Sequence, residues 1–180
     1  SLAMILLQQK GINISVIMPY VDNLNNLSFW YKQLWAESIG KRRMGTTPVN
    51  SLGTVDQHSQ LQLFLDGPRD KFYTIIGRKQ MNERTILDCS FGNKNKIDVL
   101  HKKSLETLLR AEMDATIQTL ENKKLPVRFF ELESINEETI GSLMMFFFVE
   151  TIFSCYLVNV NPFDQPAVEE GKILTKKILK

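Results

Sequence analysis

Ile12-Asn13-Ile14-Ser15-Val16-Ile17-Met18, ending at Pro19, is the stretch on which the fold turns. Its near-continuous run of β-branched and apolar residues reads as a strand buried on both faces, the signature of a parallel sheet. Upstream, residues 1–10 read as a helix closed by Gly11. Downstream, Leu27, Trp30, Tyr31, Leu34 and Trp35 recur at helical spacing across 25–39. Residues 40–53, rich in Gly, Pro, Thr and Asn, read as loop; 55–65 read as a helix stopped by the turn Asp66-Gly67-Pro68. Lys71-Phe72-Tyr73-Thr74-Ile75-Ile76 is a second strand and Val127-Arg128-Phe129-Phe130-Glu131-Leu132 a third. Between them come a polar excursion at 80–96 and a long helical pattern over 97–122. A very apolar helix over 136–158 and a terminal one over 164–179 complete the chain. Strands separated by helices imply a mostly parallel sheet covered on both faces, the α/β class.

The 180 residues suffice for one domain with a sizeable core and are too few for two ordinary ones. A net charge of +2, with basic residues dispersed except at Lys41-Arg42-Arg43 and the tail, argues against nucleic acid or an anionic membrane as partner. The start is apolar but lacks a basic segment and a cleavage site, so it is a poor signal peptide. The apolar run Leu143 to Val149 is interrupted by Glu150 and is too short to span a bilayer. Cys89 and Cys155 stand apart without a paired spacing, which fits a reduced, cytoplasmic setting. The chain opens inside a helical pattern without a capping signal, as expected of a piece of a longer protein.

Several side chains are candidates for chemistry. Gln33 and Glu37 stack on one side of the 25–39 helix, beside its apolar stripe. A carboxylate there is expected to be partly desolvated and suited to general-base work; the alternative is an exposed pair with Lys41, four residues on. His58, after a glycine-containing loop, titrates near neutrality and suits proton transfer; the alternative is a histidine tied up at a helix start. At the other end, Asn161-Pro162-Phe163-Asp164-Gln165-Pro166 breaks the apolar segment and opens a helix. Asp164 is its candidate N-cap, with Pro166 in the first turn and Glu169 and Glu170 near the positive end. That helix presents Lys172 after Gly171, where an exposed pair with Glu169 is the alternative. Glycine inside a helix costs about 1 kcal/mol relative to alanine, a mild argument for a reason to keep it. Gly40-Lys41-Arg42 with Gly45-Thr46-Thr47 has phosphate-loop ingredients in the wrong order. Neither metal-ligand spacing nor a Gly-x-Gly-x-x-Gly motif occurs.

Three blocks together resemble the C-terminal part of bacterial glucose-6-phosphate isomerase: Trp35-Ala36-Glu37-Ser38-Ile39-Gly40-Lys41, Gly53-Thr54-Val55-Asp56-Gln57-His58-Ser59-Gln60-Leu61-Gln62-Leu63, and Pro162-Phe163-Asp164-Gln165-Pro166-Ala167-Val168-Glu169-Glu170-Gly171-Lys172. The resemblance runs from Met18-Pro19-Tyr20 through Lys172 and is loosest at 77–105. It implies a sugar-isomerase-type three-layer α/β/α sandwich over residues 1–160, truncated at its start, with additional C-terminal helices and a helical tail, 161–180, carrying Lys172. It further implies aldose–ketose isomerisation of glucose-6-phosphate and fructose-6-phosphate through a cis-enediol, with no metal or organic cofactor needed. Glu37 would move the proton between carbons 1 and 2; His58, arriving from a partner subunit, and Lys172 would open the ring; Gln33 and Gln165 would hold the substrate. The implied partners are the sugar phosphate and either a second copy or a separate N-terminal half.

The family site also needs a Ser/Thr-rich loop cradling the phosphate and an arginine in a Gly-Gly-Arg-type motif, and neither pattern occurs in these residues. Loss of one such electrostatic donor costs on the order of 3–4 kcal/mol, so little or no turnover is expected of the chain alone. A non-catalytic sugar-phosphate-binding remnant or partner-binding module is the alternative reading.

Overall fold

The computed structural model describes residues 1–79, 86–87 and 98–180. Helix α1 (Leu2–Gln9) leads into β1 (Ile14–Pro19), a 3-10 turn at Asp22–Leu24 and α2 (Asn25–Ile39). Then follow β2 (Thr47–Asn50), α3 (Val55–Ser59), α4 (Leu61–Asp66) and β3 (Lys71–Arg78). A 3-10 turn at Asp98–Leu100, α5 (Leu105–Asn122), β4 (Val127–Leu132), α6 (Glu137–Leu157) and α7 (Pro166–Ile178) complete the described chain. The four strands pair in parallel in the order β2-β1-β3-β4.

Alternation along the strands builds two cores and hence three layers. Ile17, Phe72 and Ile76 face α1, α2 and α6, where they pack with Tyr31, Trp35 and Phe147. Val16, Met18, Tyr73 and Ile75 face the opposite layer and pack with Phe64 of α4 and Met113 and Leu120 of α5. The expected α/β/α sandwich is therefore the observed architecture.

Three local expectations need correction, and a fourth falls largely outside the described residues. Loop 40–53 contains the edge strand β2, whose Val49 lies opposite Val16; its Pro48 is tolerated because an edge strand has one unpaired side. The 55–65 helix is two short helices separated at Gln60, where φ and ψ reach −126° and −23°. The helix expected over 97–122 begins at Leu105, since Ser104 caps it by accepting the Thr107 N–H at 3.0 Å. Apart from Ile86 and Leu87, the 80–96 excursion lies outside the described residues.

Helix α6 spans 21 residues and is long and apolar enough to cross a membrane, once the residues flanking Glu150 are counted. One face of it belongs to this domain's core. Glu150, only 4% exposed, accepts bidentate hydrogen bonds from Arg128 of β4 at 2.5 and 2.9 Å, and Arg128 Nε donates to Thr74 Oγ1 of β3 at 2.9 Å. A buried carboxylate so paired ties the helix to the sheet.

Candidate active site

Helix α2 runs back from β1, so its last turn lies level with the amino ends of the strands. Trp35 fixes that end: its Nε1–H reaches Thr46 O at 3.1 Å and Thr46 Oγ1 at 3.0 Å, just before β2 begins. Gln33 and Glu37 follow on the exposed side of the same turn. Helix α6 also runs back from its strand and delivers Asn161 to Gln165 to the same edge.

The two segments meet around Glu37. Gln33 Nε2 donates to Glu37 Oε1 at 3.1 Å, and Gln165 Nε2 donates to Glu37 Oε2 at 2.8 Å. Beside them Lys41 Nζ donates to Ser38 O at 2.7 Å and Asn161 O at 2.6 Å, and pairs with Asp164 Oδ1 at 3.2 Å. Lys41 thus staples the end of α2 to the turn that carries Gln165. A cavity of about 190 Å³ opens there, lined by Glu37, Lys41, Gln165 and Val168 among others. Ligand pockets usually measure about 300–1,000 Å³, so this is one wall of a site rather than a complete one.

Three expectations fail at this point. Glu37 is exposed in this chain rather than partly desolvated, because α2 presents it outward, beyond the apolar stripe. Neither does it pair with Lys41, whose ammonium is occupied by the 161–164 turn. Asp164, in turn, is not the N-cap of α7; Gln165 holds that position with Pro166 at N1, and the Asp164 carboxylate is spent on Lys41.

His58 lies elsewhere. Gly53 N–H donates to Pro19 O at 2.9 Å, and Gln57 Nε2 donates to Tyr20 Oη at 2.7 Å, which places α3 at the carboxyl end of β1. His58 and Glu37 therefore stand at opposite ends of the sheet, and His58 is exposed. Its helix is held by Asp56, which accepts from Leu52 N–H at 2.7 Å and from Ser59 Oγ at 2.5 Å. Burial opposes ionisation of Asp56, but the donors Ser59, Leu52 and Gln60 outweigh it and hold its carboxyl below the ordinary range.

Lys172 is also outside the Glu37 cluster. Its Nζ pairs with Glu169 Oε1 at 2.6 Å on α7, which is exposed along its whole length. A side chain at Gly171 would meet nothing within 4 Å, so packing inside the chain does not require that glycine.

A second crevice, of about 350 Å³, opens outside the carboxyl ends of β1 and β3, where the connections diverge to opposite faces of the sheet. Tyr20, Arg78, Lys79 and Arg110 line it, but Arg110 is committed to Asp114 at 2.9 Å and Glu131 at 2.7 Å, and Lys79 to Glu133 at 2.8 Å. None of the candidate residues reaches it.

Sequence reasoning missed the positioning roles of Lys41 and Asp164. Both lie inside the quoted blocks, yet no spacing rule links residues so far apart.

Comparison with known proteins shows the family of the chain. The family model for phosphoglucose isomerase matches residues 2–180. A probable glucose-6-phosphate isomerase of Methanococcus maripaludis is 35% identical over 97% of the chain, and a glucose-6-phosphate isomerase of Rubrobacter xylanophilus 39% identical over 92%. These alignments take in 39% and 38% of the relatives, so the chain spans about two fifths of the length of the curated relatives it matches. A crystal structure of a hypothetical protein from Thermus thermophilus superimposes with a TM-score of 0.89 at 36% identity, over 99% of this chain and 44% of the other. A glucose-6-phosphate isomerase from Chlamydia trachomatis, at 23% identity and a TM-score of 0.73, shares the fold over 98% of this chain and 37% of its own.

Proposed function

Because this chain belongs to the phosphoglucose isomerase family, we propose that it supplies the C-terminal part of a glucose-6-phosphate isomerase site. Once the sugar ring is open, Glu37 takes the proton from carbon 2 of glucose-6-phosphate. It returns the proton to carbon 1 of the cis-enediol, giving fructose-6-phosphate; the reverse reaction retraces the path. The observation that carries this reading is the clamp on Glu37: one amide from Gln33 and one from Gln165, 128 positions away, hold its two oxygens beside a cavity. An oriented carboxylate is what proton transfer between adjacent carbons requires, and such groups contribute about 10²–10⁴-fold.

In this proposal Gln33 and Gln165 also donate to the substrate, and His58 and Lys172 serve ring opening. His58 stands at the far end of its own sheet, so a second copy supplies it. Residues 1–160 form the sugar-isomerase-type domain, and 161–180 the tail that carries Lys172 across to the substrate. The phosphate-cradling loop and the enediolate-stabilising arginine come from outside these residues, on an N-terminal half. The setting is glycolysis and gluconeogenesis in the cytoplasm, without metal or organic cofactor.

The test is a coupled fructose-6-phosphate to glucose-6-phosphate assay on the chain alone and mixed with the N-terminal three-fifths of the Rubrobacter xylanophilus relative. Expected are little turnover alone, turnover in the mixture, and a loss of about 10²–10⁴-fold with Glu37→Gln. Turnover that survives Glu37→Gln would overturn the assignment of the base.

A further inference from the structure

Arg78 ends β3 and lines the crevice of about 350 Å³ at the carboxyl ends of β1 and β3. Of the cationic side chains there, Arg110 is paired with Asp114 and Glu131, and Lys79 with Glu133. Arg78 differs. Among the described residues its guanidinium has no ion pair, and its Nε–H is buried without an acceptor. A half-buried guanidinium in that state has given up hydration and gained no partner inside the chain, whereas buried polar groups are nearly always partnered.

The surroundings of Arg78 form a gap of metabolite size. After β1 the chain turns to α2 on one face of the sheet, and after β3 it reaches α5 on the other, so the strand ends part between them. A side chain at Gly77 would collide with Met113 and Phe129. The glycine lets α5 settle onto β3, and Met113 with Tyr20 gives the gap an apolar lining. Glu106 and Thr107, from the first turn of the 18-residue α5, line the same gap, so the positive end of a long helix opens onto it.

From this arrangement we propose a second small-molecule site: the crevice binds a metabolite through one oxyanion, phosphoryl or carboxylate, held on the Arg78 guanidinium. The planar fork of arginine matches either group bidentately. Asp114, Glu131 and Glu133 match the charges of Arg110 and Lys79, which leaves Arg78 to supply the attraction. Glu106 and Asp114 on the walls would repel a polyanion such as a nucleic acid, and carboxylates have lone pairs to accept from hydroxyl groups. The crevice is at the small end of ligand pockets, about 300–1,000 Å³, and suits a body of a few carbons. The ligand class is therefore a small hydroxylated phosphate ester or hydroxy acid. Tyr20 links the site to α3, since its Oη accepts from Gln57 Nε2 at 2.7 Å, so occupancy is transmitted to the helix that bears His58. The proposal stands apart from the isomerase reading, whose Glu37 lies at the opposite end of the sheet.

The experiment is amide NMR of the full 180-residue chain, titrated at constant ionic strength with glycerol phosphate and with glycerate. The two probes share a hydroxylated body and differ in the oxyanion. At least one is expected to give saturable shifts at the amides of Tyr20, Arg78 and Arg110, with Kd on the order of 1 mM for so small a ligand. Saturation by glycerol phosphate alone assigns a phosphate ester, and by glycerate alone a hydroxy acid. Arg78→Met is expected to weaken binding about tenfold or more, the usual worth of a hydrogen bond to a charged group. Where that variant fails to fold, Arg78→Lys decides; it keeps the charge but not the fork, and should weaken binding at least about threefold. Arg42→Met/Arg43→Met, in the other basic segment, should leave the affinity unchanged. Absence of saturable binding by either probe, shifts confined to residues 41–43 and their neighbours, or an affinity indifferent to the Arg78 variants overturns the proposal.

Discussion

Removal of the Glu150 carboxylate tests how the long apolar helix is held to the sheet. Its two oxygens accept from both terminal nitrogens of Arg128, and the chain's amino terminus lies 3.5 Å from one of them. Glu150→Ala strands the guanidinium among Phe72, Phe130 and Phe147, whose ring centroids lie 5.3, 5.1 and 5.9 Å away. Breaking a buried pair from one side costs about 3–5 kcal/mol, because the remaining charge keeps its desolvation penalty. Arg128 retains 21% exposure. Water reaches it, so the low end, about 3 kcal/mol, applies. In a domain of this size each kcal/mol moves Tm by about 2–4 °C, which predicts a fall of about 6–12 °C. The assay is a circular dichroism melt at fixed protein concentration, with the double variant Arg128→Met/Glu150→Met beside the single. The double removes both charges while keeping apolar volume, and should recover most of the loss. A fall below about 2 °C, or a double variant melting no higher than Glu150→Ala, would refute the reasoning.

Other outcomes follow from the same geometry. Lys41→Met frees Asp164 and two carbonyls; limited proteolysis between 159 and 166 should accelerate while Tm falls by less than about 3 °C, as for a partly exposed contact. Gln165→Ala removes one of the two amides on Glu37 and should lower kcat about tenfold in the two-part assay, the usual worth of a hydrogen bond to a charged group; an unchanged kcat would detach Gln165 from the base. Asp56 has a carboxyl pKa lowered on folding, so its contribution is present above the ordinary aspartate value of about 3.9 and is lost as pH falls through the lower folded value. Hydrogen-exchange protection of the Leu52 amide should therefore hold at pH 5 and fade below the folded value, and the fading should vanish in Asp56→Asn. Cys155 is fully buried and burial pushes its thiol up, so in a Cys89→Ser background it should react with a disulfide reagent no faster than the chain unfolds.

Local physics made much of the architecture readable. The β-branched run at 12–18 and the helical stripe of Trp30, Tyr31, Leu34 and Trp35 report burial through their periodicity, and periodicity is a property of neighbours in the chain. The strand at 127–132 was readable for the same reason. β2 was not: four half-exposed residues including Pro48 carry too little pattern, and only pairing with β1 makes them a strand. The split at Gln60 and the late start at Leu105 likewise depend on where backbone hydrogen bonds close.

The site divides along the same line. Residue types made Glu37, His58 and Lys172 candidates, and the resemblance of the three blocks to the family gave them their roles and added Gln33 and Gln165. Which of them meet is a matter of long-range packing. The backward run of α2 and α6 brings Gln33, Glu37 and Gln165 to one edge through the Lys41 staple, while the chain's passage from β2 into α3 carries His58 to the opposite edge. A sequence determines which groups are available; the direction in which each element crosses the sheet decides which of them share a site.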